Sequence, residues 1–367
     1  MRRHGPRPRG AREGTEARPP DPRGGRHRAG PRLRPDGRAR HRGRRAWRRR
    51  MVRRAHGHGP PRGVHAALDR RRAADRHLAA PRHGGAAHHP AVRDRRRGPG
   101  VSPMLVGAFA CAHTPQLLAR PETEDRELVL RVHAAFARVK RRLEALRPDA
   151  IAMIAGDHIE AFFLSAVPAL AVYVGTECAG TFGRYRYRFP IHEPLARALV
   201  EAGIERGFDL VYTQDAPLDY AFYVPLHFTM PEPSVPLVPL HVNVYLPPQP
   251  TPKRCYEWGR ALGEILGSRS ERVVLMASGG MSHFPGTDRY ASPEFDYDRR
   301  LLDLLSAGRS RELAAVTAEE LDRAGNIELR TWITLLGAVG DAKADVYCYE
   351  PSWHHGNAVV EWPLAVT

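Results

Sequence analysis

Lysine, isoleucine, phenylalanine, tyrosine, asparagine, glutamine and cysteine are all missing from the first 103 residues of this 367-residue chain. With so few large apolar side chains and no sustained apolar run, residues 1–103 cannot bury enough surface to offset the entropy of ordering them, and disorder is expected. The stretch holds 31 arginines against seven acidic residues, a net charge of +24, while 104–367 holds 26 basic and 33 acidic residues, a net of −7. The overall +17 therefore belongs to the first segment alone. An arginine-rich arm would bind nucleic acid by neutralising phosphates, but such arms ordinarily mix lysine with arginine. A transit peptide would be serine-rich, and this segment has only Ser102. A third reading is a start codon assigned too far upstream. The enriched residues (Arg, Gly, Pro, Ala, His) have GC-rich codons, and most of the missing ones have AT-rich codons. That reading puts the natural start at Met104 and removes nucleic acid as an expected partner.

Other absences narrow the class of the remainder. No apolar run approaches the ~18 residues of a membrane span, and no signal-peptide hydrophobic region precedes the first strand, so no membrane partner is expected. Cys111, Cys178, Cys255 and Cys348 are widely spaced, with no CxxC pair. This spacing argues against a disulfide framework or a cysteine zinc site and fits reduced thiols in a cytoplasmic protein.

What is present from residue 104 onward alternates between strand and helix patterns. Apolar runs predict strands at 105–112, 150–155, 170–174, 235–245 and 273–277, and a closing strand at 345–349. Helical spacing predicts helices over 122–146, 191–207, 295–305 and 327–339, with a further segment N-capped by Thr317 and carrying Glu319 and Glu320 in its first turn. The expected fold is a single α/β domain over 104–367, with a central mixed β-sheet and helices on both faces.

Polar residues fall at the ends of these strands. His113, the pair Asp157-His158, and the Ser278-Gly279-Gly280 turn before His283 each follow an apolar run directly. In open α/β sheets ligands gather at the carboxyl ends of strands. A histidine in a loop is often only structural, but two from different strands suit a metal that prefers imidazole. A carboxylate would complete a two-histidine, one-carboxylate set that leaves three positions open. Glu328, at the start of an otherwise apolar helix, is the candidate, although an acid there also complements the helix dipole. Glu160 competes but lies close to His158. Ser278 and Ser282 near a histidine raise a serine hydrolase, yet no GxSxG elbow surrounds them. His283 suits a general acid or base. Arg184, Arg186 and Arg188 alternate with aromatic residues, which fits a carboxylate clamp or the solvent face of a β-ribbon.

Four pieces in order resemble the class III extradiol ring-cleavage dioxygenases, the family of the protocatechuate 4,5-dioxygenase β subunit and 2,3-dihydroxyphenylpropionate 1,2-dioxygenase. They are a first strand ending in His-x-Pro at His113, Asp157-His158 followed by Phe162-Phe163, Ser278 to His283 (Ser-Gly-Gly-Met-Ser-His), and Glu328 to Trp332 (Glu-Leu-x-x-Trp). The likeness spans 104–367 and none of 1–103. It implies Fe(II) held by His113, His158 and Glu328, with His283 as a neighbouring histidine that hydrogen-bonds substrate or oxygen. The implied reaction is extradiol cleavage of a catechol or ortho-aminophenol ring with O2, giving a muconic semialdehyde-type product. Tyr220 stands where the family carries an acid–base histidine. A phenol near its ordinary pKa of ~10 can donate a proton but is a poor base at neutral pH. Tyr220 is thus a candidate catalytic acid, and its presence leaves open a non-catalytic relative that uses the fold as a metal- or ligand-binding module. His227, seven residues on, cannot take that place by rotation if the stretch is helical. It joins Arg186 as a candidate substrate-binding residue, and a homo-oligomer is expected.

Overall fold

Six or seven consecutive residues that are almost all apolar, four times over, make the centre of the protein in the computed structural model, which describes residues 105–364 except 163, 165 and 216. The expectations for 1–103, Met104 and Phe163 lie outside the described residues. The four central strands are β1 (Leu105–Cys111), β2 (Ala150–Ala155), β7 (Leu237–Val242) and β8 (Val273–Ser278). Beyond half-buried Leu105, every residue in them is buried, as parallel strands covered on both faces require. They lie side by side in the order β7-β2-β8-β1, all parallel, inside an eight-stranded sheet. On one flank, β3 (Leu170–Tyr173) runs antiparallel to β7 and pairs with the short β6 (Val211–Thr213). On the other, β10 (Gly356–Trp362) runs antiparallel to β1, with β9 (Asp345–Pro351) outside it. The sheet is mixed and flanked by helices, as the sequence implied.

The helices follow from apolar stripes and caps. The first long one is α2 (Arg126–Leu146), which comes after the short α1 (Gln116–Ala119) and buries Leu128, Val132, Phe136, Val139 and Leu143. It begins four residues later than the periodicity suggests, because the Asp125 side chain accepts from the Glu127 and Leu128 N–H groups and fixes the first turn there. The next is α3 (Glu193–Glu205), shorter at both ends than expected and closed by Arg206 and Gly207, the latter at φ 78°. Then α4 (Tyr220–Thr229) packs against α2, β2 and β8. Among the elements the sequence reading passed over are α5 (Pro252–Gly267) and β10. The remaining helices are α6 (Phe295–Ser306), α7 (Ser310–Ala314), α8 (Ala318–Ala324), capped by Thr317 as read, and α9 (Leu329–Val339). α9 lies along α5 at backbone contact: a Cβ at Gly259 would sit 1.8 Å from the Thr334 carbonyl oxygen, so only glycine fits.

The arginine-alternating segment forms a separate two-stranded ribbon, β4 (Glu177–Phe182) with β5 (Tyr185–Pro190). Its arginines are exposed and its tyrosines half-buried. The expected strand at 235–245 stops at Val242, which frees Val244 and Tyr245 from the sheet.

Candidate metal centre

Register brings the four central strand ends level. Cys111 of β1 lies opposite Ser278 of β8, and Ile154 of β2 opposite Ala277 of β8. His113 follows β1 by two residues, His158 follows β2 by three, and the glycine turn follows β8. Nδ1 of His113 lies 3.0 Å from Oγ of Ser278, which donates to the Ala221 carbonyl at 2.5 Å. Having spent its proton there, the hydroxyl accepts from Nδ1–H, and the His113 Nε2 lone pair faces the site.

His158 is fixed by Asp219, the N-cap of α4. One carboxylate oxygen accepts from Nδ1–H and the other from the His158 backbone N–H, each at 2.8 Å. The next residue, Ile159, has φ 68°, a left-handed conformation that costs a β-branched residue about 1–3 kcal/mol. Asp157 holds that turn by accepting from the Glu160, Ala161 and Phe162 N–H groups. The Asp-His pair of the sequence thus divides its work, Asp157 shaping the turn and His158 facing the site.

Glu328 stands at the head of α9 and is 1% exposed. Its side chain makes no helix-capping bond. Instead Oε2 accepts from the Gly280 N–H at 2.5 Å and lies 3.1 Å from Nε2 of His113. Oε1 accepts from the Tyr245 hydroxyl and lies 3.5 Å from Nε2 of His158. Ligand atoms of His113, His158 and Glu328 all fall within 4.8 Å of one another. Burial disfavours the Glu328 carboxylate, but the facing His113 and His158 outweigh it and hold the group well below its usual range. Burial likewise opposes charge on His158, yet Asp219 and Glu328 prevail and push the imidazole up to about 10. A proton on its Nε2 thus sits where a cation would replace it. Two imidazoles and a carboxylate with oriented donor atoms fit a divalent transition metal.

His283 enters from the glycine turn. Its Nδ1–H donates to the Met281 carbonyl at 2.8 Å, so the free Nε2 faces Oε1 of Glu328 at 3.4 Å. Burial pushes this imidazole down to about 3, leaving it neutral. Tyr220 stacks on His158 with ring centroids 4.0 Å apart, and its hydroxyl bonds to none of the described residues. Burial, with Asp219 and Glu328 beside it, pushes the phenol up from its ordinary value. Arg186 and His227 are not brought to the ligands. Arg186 is exposed on the ribbon and donates to the Gly183 and Tyr185 carbonyls. His227 sits in the last turn of α4, which is indeed helical, with its Nδ1 3.0 Å from the Tyr187 hydroxyl.

Three residues that the sequence reading missed also reach the site. Tyr245 arrives three residues beyond β7, the same offset as His158 from β2, so the strand-end rule would have found it. Asp219 was visible only as a neighbour of Tyr220. His355, from the turn into β10, packs 4.3 Å from the His283 ring. It occupies the space above Gly280, where a Cβ would lie 2.2 Å from its Cε1.

Two histidines beyond the ends of parallel strands, set against a buried glutamate, make a candidate metal site of the two-histidine, one-carboxylate kind. Residues 107–360 match the family described as the catalytic LigB subunit of aromatic ring-opening dioxygenase, and the chain belongs to that family. It is 25% identical over 299 residues to a 2,3-dihydroxyphenylpropionate/2,3-dihydroxicinnamic acid 1,2-dioxygenase of Klebsiella pneumoniae, covering 68% of this chain and 93% of that one. The enzyme of the same name from Escherichia coli O81 is 27% identical over 277 residues, covering 62% and 88%. Among solved structures, the uncharacterized protein JW3007 of Escherichia coli K12 shares the fold, with a TM-score of 0.51 and 18% identity over 70% of this chain and 99% of that one. No helix among the described residues is long and apolar enough to cross a membrane.

Proposed function

We propose that residues 104–367 form an Fe(II)-dependent extradiol dioxygenase that opens a catechol or ortho-aminophenol ring with O2 to a muconic semialdehyde-type product. The observation that carries this reading is the convergence of His113 and His158, which follow β1 and β2, on Glu328 at the head of α9, within a family of ring-opening dioxygenases. Bound Fe(II) would supply a Lewis acid that holds the aromatic substrate and O2 side by side.

The chain's own residues do the rest. Ser278 and Asp219 fix the tautomers of His113 and His158, so both present Nε2. His283, neutral and with Nε2 free, accepts a hydrogen bond from a substrate hydroxyl. Tyr220, stacked on His158, is the acid that returns a proton to the opened product. A cleft of about 560 Å³ between the ribbon and the start of α4 is lined by Glu160, Arg186, Tyr187 and Leu218. There Arg186 recognises an anionic substituent, with Tyr187 held by His227. We place the enzyme in the cytoplasm as a homo-oligomer, its described thiols free.

The alternative, a binding module without turnover, is motivated by Tyr220 in place of a histidine. Anaerobic loading with Fe(II), followed by catechols and O2, separates the two. A yellow ring-cleavage product is expected. Iron uptake without turnover of any catechol or aminophenol overturns the enzyme reading in favour of the module.

A further inference from the structure

Tyr245 is buried, 5% exposed, with its hydroxyl between His158 and Glu328. Its oxygen is 2.9 Å from Nε2 of His158 and donates to Oε1 of Glu328, two atoms themselves 3.5 Å apart. Adjacent donors at right angles around an ion with bonds of about 2.1 Å lie roughly 3.0 Å apart. Tyr245 keeps that spacing from His158, just as Glu328 keeps 3.1 Å from His113, while it sits closer to Oε1 of Glu328 in a hydrogen bond that a bound ion would have to open. The loop is built to hold the phenol there. Asn243 accepts from the Leu246 N–H at 3.0 Å and donates to the Leu246 carbonyl at 2.6 Å. Arg330, fully buried, donates to the Pro250 and Ile327 carbonyls, each at 3.0 Å. One guanidinium thereby ties the loop after Tyr245 to the turn that presents Glu328. A buried cation is costly to keep, and this one joins phenol and carboxylate into a single unit.

We propose that Tyr245 is a fourth side chain of the metal centre, its phenol oxygen taking one of the positions that two histidines and a carboxylate leave free, and that a chelating substrate displaces it. The inference rests on the ring-cleavage reading and deepens it. Three open positions are what a two-pronged catechol and O2 need together, so Tyr245 holds its place only until the substrate arrives. A catechol or ortho-aminophenol, gripping with two adjacent atoms, can displace it. A simple phenol, gripping with one, gains too little. Tyr245 thus favours chelating substrates over monodentate ones.

The test compares the full chain with its Tyr245→Phe variant. Loaded with ferric iron, the unmodified protein is expected to show a visible charge-transfer band from the phenol oxygen, and the variant to lack it. Loaded anaerobically with Fe(II), the variant is expected to hold the metal roughly ten-fold more weakly yet bind nitrocatechol roughly ten-fold more tightly, since nothing must be displaced. A merely structural role would weaken both. Identical ferric spectra, or nitrocatechol binding that weakens along with the metal, overturns the proposal while leaving the ring-cleavage reading intact. Failure of the unmodified protein to take up metal overturns both.

Discussion

At the scale of single residues, the site depends on the side chains that orient its histidines. Asp219 holds His158 through both a ring and a backbone N–H, so Asp219→Asn should lower Fe(II) affinity about 10- to 100-fold with the fold intact. Metal titration followed by circular dichroism checks this, and unchanged affinity would remove Asp219 from the account. Ser278→Ala should cost less, because the hydroxyl orients His113 without carrying charge. The residues legible from sequence, His113, His158, His283 and Glu328, share a simple property. Each lies close to an apolar run, so its position announces a strand or helix end. Asp219 and His355 lacked that mark. Asp219 caps a helix beside a more conspicuous tyrosine, and His355 sits in a hairpin of which only the first strand was expected.

At the scale of elements, the site is as rigid as the four central strands and the contact between α5 and α9. β2 was read to the residue because a run buried on both faces has no polar interruptions. α5 was passed over because Cys255, Gly259 and Ala261 dilute its stripe, although Trp258, Leu262 and Ile265 complete it. The ribbon strand β4 carries too little apolar character to mark itself. Gly259 matters most here, since the backbone of α9 fills the space beside it. Gly259→Ala should destabilise the protein by about 1–3 kcal/mol through overpacking. It should also weaken metal binding, because α9 carries Glu328 at its head. Thermal unfolding and metal titration of the same variant test the two effects together. A loss of stability with unaltered metal affinity would show that the helix contact does not set the position of Glu328.

At the scale of the whole molecule, several buried imidazoles are kept neutral. Burial pushes His241 down to about 4 and His283 to about 3, and His355 falls in the same direction. A histidine whose folded pKa is depressed lets the unfolded chain take up its proton first. The stability it contributes is present above pH ~6.5 and lost as the pH falls toward the folded value. Asp298, pushed up to about 6 by burial, works in the opposite direction. His241 lies against Phe162 and is buried. His241→Leu should therefore remove about 2 kcal/mol of the stability lost between pH 7 and pH 5, as read by denaturant unfolding. Equal losses in both proteins would show that His241 does not contribute to the acid sensitivity.

The charge of the whole chain misdirects, since the +17 comes from residues 1–103 while the family match lies in 107–360. The central claim is that His113, His158 and Glu328 hold an iron that opens aromatic rings, and oxygen uptake tests it most directly. With Fe(II)-loaded protein and a panel of catechols and ortho-aminophenols, one O2 should disappear for each ring opened, without hydrogen peroxide. Glu328→Gln should abolish the uptake. Stoichiometric iron in the unmodified protein, with no oxygen consumed on any of these substrates, would contradict the account.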